Sequence, residues 1–331
     1  MNILVICVKF PEGFNQDFRD RLAQAAPGAN IVYLEDDTRN EQERISLLEQ
    51  ADIIIGWFPG EWMRYCKRVK LIHLDSAGAD TLIDNPDFPE GAVLCNVSGA
   101  YGQIMAEHAL GLLMAICRRI PYYYSNMAKH SWQRGKPDKP IEGSNVLILG
   151  AGDIGTHAAR FLRPMLGSGT ITGVRRVPRA VPPEYDAMIT FEDLDQALAQ
   201  ADIVICALPS TPQTAGLLHA DRLRLMKADA VLINVGRGSL IPLDDLNTVL
   251  REGHFYGVGI DVAEPEPIPA NHPVWDCEQL IITPHAAGIA LSQTSPTYQR
   301  VFDIIMENIA NFVNGKPLNH VVDRATGYRR L

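Results

Sequence analysis

Short runs of apolar residues alternate with longer stretches of helical periodicity along nearly the whole chain. Each run spans only a few residues, is rich in Val, Ile and Leu, and lacks strict alternation with polar residues. Such runs are typical of strands buried on both faces of a parallel sheet. The predicted strands are Ile3–Val8, Ile31–Leu34, Asp52–Gly56, Leu71–Leu74, Val93–Val97, Val146–Leu149, Thr170–Val174, Asp202–Ala207, Val231–Val235, Tyr256–Asp261 and Leu280–Thr283.

Helical patterns fill the gaps between these runs, for example over Phe191–Gln200 and Leu243–Glu252. Regular alternation of strand and helix favours a doubly wound α/β fold. A long helix is also predicted over Tyr101–Ile120, and a C-terminal helix over Pro296–Asn314.

An internal repeat indicates that this architecture occurs twice. The stretch LEQADIIIGWFP (Leu48–Pro59) matches LAQADIVICALP (Leu198–Pro209) at Leu, Gln, Ala, Asp, two Ile and Pro. We therefore expect two doubly wound parallel-sheet domains, Rossmann-like or flavodoxin-like, with a cleft between them. The boundaries are predicted near Ser98 and Gly288, so that residues 1–98 and 288–331 form one domain and residues 99–287 the other.

The most specific local motif is GAGDIG, from Gly150 to Gly155, which follows a predicted strand and opens a helical pattern. In this context a GxGxxG motif indicates a dinucleotide-binding loop rather than a plain glycine turn. Gly150 allows the tight turn, Gly152 lets the backbone approach a pyrophosphate, and Gly155 lets the helix pack on the strand. The helix N-terminus at Asp153 and Ile154 adds amide donors and a positive dipole.

The residue after the next strand bears on the choice of nucleotide. Arg175 lies twenty residues after Gly155, where an acidic residue would bind the ribose 2′-hydroxyl of NAD. An arginine cannot accept those hydroxyl hydrogens, but it can pair with a 2′-phosphate, with help from Arg176 and Arg179. The sequence therefore favours NADP as cofactor, with NAD as a possible substitute and a solvated basic turn as the alternative explanation of these arginines.

Three further segments bring titratable groups to predicted strand ends: INVGRGSLI around Arg237, GIDVAEPEPIP around Glu266, and ITPHAAG around His285. Together with AEHALGLL from Ala106, GAGDIG, LPSTPQTAGLL, NHPVWD and NFVNGKPLNHVV, they resemble the D-isomer-specific 2-hydroxyacid dehydrogenase family over nearly the whole length. The resemblance implies a hydride transfer between a nicotinamide and a small 2-oxo or 2-hydroxy acid. It also implies that residues 1–98 and 288–331 form the substrate (catalytic) domain and residues 99–287 the dinucleotide-binding domain.

By position in these motifs, Arg237 matches the family's substrate-binding arginine, His285 its acid/base histidine, and Glu266 the carboxylate that partners the histidine. The chemistry requires such groups, because reduction of a ketone needs a proton donor at the developing alkoxide. Glu264 is the alternative carboxylate, since it lies only two residues from Glu266.

The resemblance assigns further contacts. Ala77 and Gly78, in LDSAGAD, match the loop whose amides receive the substrate carboxylate, with a plain turn as the alternative. Glu107 and His108 match a helix position for which we expect a structural role. The residues that match cofactor contacts outside the glycine loop are Pro209, Val235, Asp261 and Gly288.

Three aromatic residues concern substrate choice. Trp57 and Phe58 follow a predicted strand, and we expect them either to line the substrate side-chain pocket or to pack in the core. Trp132 is a weaker pocket candidate that could instead contact a partner subunit. The resemblance implies a homodimer, and the apolar helix after Tyr101 is its predicted interface.

Composition narrows the classes of function. The 331 residues are enough for two domains, and a net charge of −9 argues against general nucleic-acid binding. The six cysteines form no CxxC pair and show no zinc-like spacing, so no metal site is expected, and reduced thiols fit a cytoplasmic protein. No apolar run is long enough for a membrane span, and the N-terminus lacks the features of a signal peptide.

These observations favour an enzyme that reduces an acid such as glyoxylate, hydroxypyruvate, pyruvate or a branched 2-oxo acid. A family member with an unusual donor, such as formate or phosphite, would need specialised groups that the sequence does not identify. A nicotinamide-sensing binding protein on the same fold, similar to the related corepressors, is the alternative outside enzymes.

Overall fold

A computed structural model describes residues 1–7, 14–34, 40–135, 137–177, 180–289 and 292–325. The chain separates into two compact units, one formed by Met1–Tyr101 with Ala290–Leu331 and the other by Gly102–Ile289. The domain boundaries expected from the sequence lie at residues 98–99 and 287–288. Val8, the last residue of the first predicted strand, is outside the described residues.

The first unit contains a five-stranded parallel sheet with the strand order β2-β1-β3-β4-β5. Its strands are short and apolar, and alternate residues of β1 enter two different cores. Ile3 and Val5 pack in one core, and Leu4 and Ile6 pack in the other. Both faces of the sheet are therefore covered, which explains the absence of polar alternation. The strands are β1 (Asn2–Ile6), β2 (Asn30–Leu34), β3 (Ile53–Ile55), β4 (Leu71–His73) and β5 (Val93–Cys95), and the helices are α1 (Gln16–Ala25), α2 (Glu41–Gln50), α3 (Asp80–Ile83) and α10 (Pro296–Val313).

The second unit contains a seven-stranded parallel sheet with the order β12-β11-β10-β9-β6-β7-β8. The chain order reverses between β6 and β9, and this reversal is the switch point at which doubly wound sheets bind ligands. The predicted α/β fold with two parallel sheets is confirmed. The strands are β6 (Val146–Leu149), β7 (Ile171–Val174), β8 (Ala187–Ile189), β9 (Ile203–Cys206), β10 (Val231–Asn234), β11 (Gly257–Ile260) and β12 (Leu280–Ile282).

The helices of this unit depart from the prediction at one place. One continuous helix is predicted over Tyr101–Ile120. In the structure this helix ends at Cys117, and a second helix begins at Ile120. Arg119 between them has a φ of 52°, in the left-handed region that stops an α-helix. Among the described residues, no helix is long and apolar enough to cross a membrane. The helices are α4 (Gly102–Cys117), α5 (Ile120–Ala128), α6 (Asp153–Leu162), α7 (Leu194–Gln200), α8 (Ala220–Leu225) and α9 (Leu243–Arg251).

A buried histidine links β4 of the first unit to its C-terminal helix. The amide N–H of Asn319 donates to Oδ1 of Asn308 over 2.8 Å, which turns the side-chain nitrogen of Asn308 toward Nε2 of His73, 2.9 Å away. Nε2 must therefore accept a hydrogen, and Nδ1 donates to the carbonyl of Leu74 over 3.0 Å. The ring is neutral, and burial lowers the pKa of His73 from 6.5 to about 4.

This histidine predicts a loss of stability in mild acid. Below pH 6.5 the unfolded chain protonates His73 and the folded chain does not, so stability falls as the pH falls toward 4. Between about pH 7.5 and about pH 5 we expect His73 to remove about 2 kcal/mol from the free energy of unfolding. Urea denaturation at both pH values should show a smaller pH effect in His73→Gln than in the wild type.

His219→Gln serves as the control, because His219 is exposed. An equal pH effect in His73→Gln and wild type would contradict the assignment of a neutral, buried His73.

Candidate active site

The carboxyl ends of the strands in the second unit collect the groups predicted to carry chemistry. In a parallel sheet all these ends lie along one edge, so residues far apart in sequence come to the same side. The glycine loop follows β6, Arg237 lies just beyond β10, Asp261 follows β11 and His285 follows β12.

His285 and Glu266 form a hydrogen-bonded pair. Nδ1 of His285 lies 2.8 Å from Oε2 of Glu266, and the second carboxylate oxygen accepts from the amide of Ala263 over 2.8 Å. The carboxylate fixes the hydrogen on Nδ1 and leaves Nε2 for a substrate atom. The side chains remain 51% and 39% exposed, so a small molecule has access to the ring. Glu266 makes this contact, whereas Glu264 is an exposed neighbour.

The loop that carries His285 is folded around the carboxylate of Asp261, whose side chain is fully buried. Oδ1 accepts from the hydroxyl of Thr283 over 2.6 Å and from the amide of Ala286 over 2.8 Å, and Oδ2 accepts from the amide of Ala287 over 3.0 Å. The amide of His285 itself donates to the carbonyl of Asp261 over 2.8 Å. The sequence predicts a cofactor contact for Asp261, and in the structure its side chain holds the histidine loop.

A second turn presents Arg237. Asn234, the last residue of β10, is buried and holds this turn at both ends. Its Oδ1 accepts from the amide of Gly236 over 3.1 Å, and its Nδ2 donates to the carbonyl of Arg237 over 3.0 Å. Arg237 is half-buried, and its guanidinium can bind a carboxylate through paired N–H donors.

The glycine loop has the geometry that a dinucleotide needs. Gly150 has a φ of 100°, and a Cβ there would lie 2.6 Å from the carbonyl oxygen of Ala207. A Cβ at Gly155 would clash with the carbonyl oxygen of Gly150, whereas one at Gly152 would meet nothing within 4 Å. The space before Gly152 and the N-terminus of α6, which begins with Asp153, therefore fit a pyrophosphate.

Arg175 lies beside this loop. Its Nε donates to the carbonyl of Ala151 over 2.9 Å, and Nη2 donates to the same oxygen. The guanidinium is thereby held against the glycine loop, at the end of β7. Arg176 is exposed, and Arg179 is outside the described residues.

The other residues predicted to contact the cofactor lie in this unit. Val235 is fully buried directly after β10, and Ile154 is half-buried in the first turn of α6. Pro209 and Gly288 are half-buried in the segments that follow β9 and β12. The carbonyl of Pro209 accepts from the hydroxyl of Thr214 over 2.7 Å, which fixes the backbone there.

In the first unit, the loop at residues 75–78 follows β4. All four of its carbonyls accept hydrogen bonds. The amides of Ala77 and Gly78, in contrast, donate no hydrogen bond to any of the described residues. A loop with occupied carbonyls and available amides suits an anion such as a carboxylate. The carbonyls of residues 75, 76, 77 and 78 accept, in that order, from the Tyr101 hydroxyl, the Val97 amide, the Asn96 side chain and the Ser76 hydroxyl.

For Phe58 the structure favours the second of the two expected placements. Phe58 is fully buried among the apolar side chains of one core of the first unit. Trp57, directly before it, is half-buried. Trp132 is fully exposed in the second unit.

The cysteine side chains offer no reactive thiol for this site. Burial raises the pKa of Cys7 and Cys117 to about 11 and that of Cys66 and Cys95 to about 12. A thiol with such a pKa stays protonated at neutral pH and is a poor nucleophile. Across the described parts of the chain, no group of three or more His, Cys, Asp or Glu side chains is arranged to hold a metal.

Comparison with known proteins supports the same family. Residues 110–287 match the family model of the D-isomer specific 2-hydroxyacid dehydrogenase, NAD binding domain. The human glyoxylate reductase/hydroxypyruvate reductase is 31% identical over 256 residues, which cover 76% of this chain and 76% of the human protein.

Solved structures extend the similarity to the whole chain. A D-isomer specific 2-hydroxyacid dehydrogenase family protein from Aeromonas salmonicida is 29% identical with a TM-score of 0.83, over 98% of this chain and 99% of that one. The NADPH-dependent glyoxylate/hydroxypyruvate reductase of Sinorhizobium meliloti, solved with NADP and sulfate, is 26% identical with a TM-score of 0.80, over 99% and 100% of the two chains. The chain therefore belongs to the D-isomer specific 2-hydroxyacid dehydrogenase family, a family of NAD(P)-dependent enzymes.

Proposed function

We propose that this protein reduces a small 2-oxo acid to its D-2-hydroxy acid and prefers NADPH as the reductant. The observation that carries the proposal is the pair of His285 and Glu266, 2.8 Å apart on the edge of the sheet that also holds the glycine loop. An exposed imidazole whose Nδ1 is fixed by a carboxylate is suited to exchange a proton through Nε2.

His285 is the acid in the reducing direction. A bound nicotinamide supplies the hydride, and the oxygen of the substrate becomes an alkoxide that must gain a proton. Protonated His285 delivers that proton from Nε2, and Glu266 stabilises the charged ring and keeps it in orientation. In the oxidising direction neutral His285 takes the proton from the hydroxyl group.

Arg237 is proposed to recognise the substrate carboxylate, and the loop at residues 75–78 of the first unit is proposed separately as an anion-binding loop. A guanidinium can bind both oxygens of a carboxylate and polarise a neighbouring carbonyl group. The amides of Ala77 and Gly78 offer neutral donors to the same kind of group. Trp57 remains our candidate for contact with the substrate side chain.

Glyoxylate and hydroxypyruvate are the substrates we propose first. The human relative and the Sinorhizobium meliloti structure bear the names of reductases for these acids. Larger 2-oxo acids differ from them by a few methylene groups, each worth about 1–3 kcal/mol in discrimination, so only measured rates can rank them.

NADP is the proposed cofactor because Arg175 replaces the acidic residue that would bind the ribose of NAD. Its guanidinium already lies against the glycine loop, bonded to the carbonyl of Ala151, and Arg176 is exposed beside it. The Sinorhizobium meliloti relative was solved with NADP. We propose Pro209, Val235, Asp261 and Gly288 as further contacts to the cofactor.

A homodimer is the proposed assembly. The sequence predicts the interface on the helix after Tyr101, and the exposed apolar surface there continues from Met114 of α4 onto helix α5, which has no buried residue. A second copy of this chain would cover such a surface. The exposed apolar side chains are Met114, Ile120, Tyr122, Tyr123, Tyr124, Met127 and Trp132.

We also propose that the protein acts in the cytoplasm. The first unit is proposed as the substrate domain and the second as the dinucleotide-binding domain.

The reaction is tested by initial rates with NADPH and NADH on a panel of 2-oxo acids from glyoxylate to phenylpyruvate. We expect the highest kcat/KM with NADPH and a small acid, and a loss of at least about a hundredfold in His285→Ala. Glu266→Gln should lose about tenfold, because the amide cannot stabilise the charged ring as the carboxylate does.

Glu264→Gln is the matched control, since Glu264 lies in the same segment and is exposed; its rates should equal those of the wild type. Tight binding of NADPH without turnover on any acid would contradict the proposal and favour the sensing protein.

The geometry of the glycine loop predicts weaker NADP binding in one alanine variant and lower stability in another. Gly152→Ala should fold normally, because its Cβ meets nothing within 4 Å, yet the methyl group should weaken NADP binding at least tenfold by occupying the approach of the pyrophosphate. Gly155→Ala should lower the Tm by roughly 2–10 °C, because its Cβ clashes with the backbone of Gly150.

Differential scanning fluorimetry and isothermal titration calorimetry separate these effects. Unchanged NADP affinity in a folded Gly152→Ala would exclude this loop as the pyrophosphate site.

Arg175 is tested by the affinities for NADP and NAD in Arg175→Ala. Loss of a charge-assisted contact to a phosphate should raise the Kd for NADP about ten- to a hundredfold and the Kd for NAD much less. Arg224→Ala is the control, because Arg224 pairs with Glu252 on the surface, away from the loop. Equal losses for both nucleotides would mean that Arg175 supports the loop without reading the 2′-phosphate.

A further inference from the structure

His108, on helix α4, is hydrogen-bonded to the loop that carries His285. Its Nε2 lies 2.9 Å from the hydroxyl of Thr283 and 3.5 Å from Oδ1 of Asp261. The side chain of His108 is 24% exposed and that of Asp261 is fully buried. A histidine outside the His285–Glu266 pair thus reaches the residue that organises the catalytic loop.

The direction of these hydrogen bonds follows from the chemistry of the groups. The hydroxyl of Thr283 has one hydrogen, and it donates that hydrogen to the carboxylate of Asp261 over 2.6 Å. The hydroxyl oxygen is then the acceptor for His108, so Nε2 of His108 carries a hydrogen. A single ordered chain runs from His108 through Thr283 to Asp261.

The same carboxylate fixes the backbone on both sides of His285. Asp261 accepts from the amides of Ala286 and Ala287, and the amide of His285 donates to the carbonyls of Asp261 and Thr283. His285 has a φ of 52°, a left-handed conformation that non-glycine residues rarely adopt. The surrounding hydrogen bonds must therefore hold it there.

Without the donor on His108, the hydroxyl of Thr283 loses one of the two hydrogen bonds that fix its position, and the side chain can turn so that the hydroxyl bonds a local backbone carbonyl, as threonine hydroxyls often do. Asp261 would then lose one of its donors, and the loop would lose a restraint on the conformation of His285. Displacement of a catalytic group by about 1 Å is enough to cost a large factor in rate.

We propose that His108 is a positioning residue for the reduction. Its Nε2–H orients the hydroxyl of Thr283 onto Asp261, and Asp261 holds His285 in its left-handed conformation beside Glu266. This inference rests on the proposed function, in which His285 is the acid. His108 itself touches neither substrate nor cofactor in this role.

The test compares paired variants of His108 and Thr283 in the full-length enzyme. His108→Leu and Thr283→Val remove the donor and the hydroxyl, whereas His108→Gln and Thr283→Ser keep a donor and a hydroxyl in place. We expect kcat to fall about ten- to a hundredfold in the first two and to recover to within about threefold of the wild type in the second two. The Kd for NADP from calorimetry should stay within about twofold in all four.

The double variant His108→Leu/Thr283→Val provides a readout that a role in stability alone would not give. Because both residues act through one chain of hydrogen bonds, its kcat should be no lower than that of the worse single variant. Glu107→Gln is the control, since Glu107 is exposed on the same helix and bonded to Gln103. Its kcat should match the wild type.

Wild-type kcat in His108→Leu, while His285→Ala is inactive, would overturn this inference and leave the proposed function intact. Multiplicative losses in the double variant, or losses that follow the Tm without recovery in His108→Gln, would also overturn it. Full activity in His285→Ala would instead refute the proposed function itself.

Discussion

The buried carboxylate of Asp261 is the interaction on which the geometry of the site depends. A carboxylate removed from water costs several kcal/mol unless donors replace its hydration. The donors here are the hydroxyl of Thr283 and the amides of Ala286 and Ala287, all from the loop after β12. The loop must therefore wrap around Asp261, and His285 is carried into its left-handed conformation as a consequence.

Two carboxylates near His285 have different tasks because their surroundings differ. Asp261 is fully buried and saturated with donors, which makes it a rigid part of the framework. Glu266 is 39% exposed and lies 2.8 Å from the imidazole, which suits the role proposed for it as the partner of His285 in proton transfer. Exchange of the two roles is excluded by position, since only Glu266 reaches Nδ1 of the ring.

Much of the fold could be predicted from the sequence, because strands buried on both faces give uninterrupted apolar runs. The strand β8 (Ala187–Ile189) was not predicted, since it is three residues long, half-buried and at the edge of its sheet. The break at Arg119 is missed for another reason: Pro121, the second residue of α5, indicates only that a helix ends near Ile120, and the left-handed turn at Arg119 is visible only in the structure.

Some residues of the candidate site can be predicted from sequence motifs, and others cannot. Motifs predict roles for Arg237, Glu266 and His285, because their residue types and order are those that the proposed chemistry requires. Thr283 and Asn234 could not be identified, since their roles depend on which atoms meet after folding. Phe58 shows why two placements stay open in the sequence, because a large aromatic at a strand end has the same sequence pattern whether it faces a ligand or the core.

The charges around the glycine loop bear on the choice between NADP and NAD. Asp153 places a carboxylate in the first turn of α6, where the dipole of the helix stabilises it but where it would repel a pyrophosphate. The guanidinium of Arg175, held on the carbonyl of Ala151, adds a positive charge on the neighbouring strand end. An additional phosphate on the ribose would be attracted by the guanidinium of Arg175. A nucleotide without that phosphate lacks this attraction, and this difference supports the proposed preference for NADP.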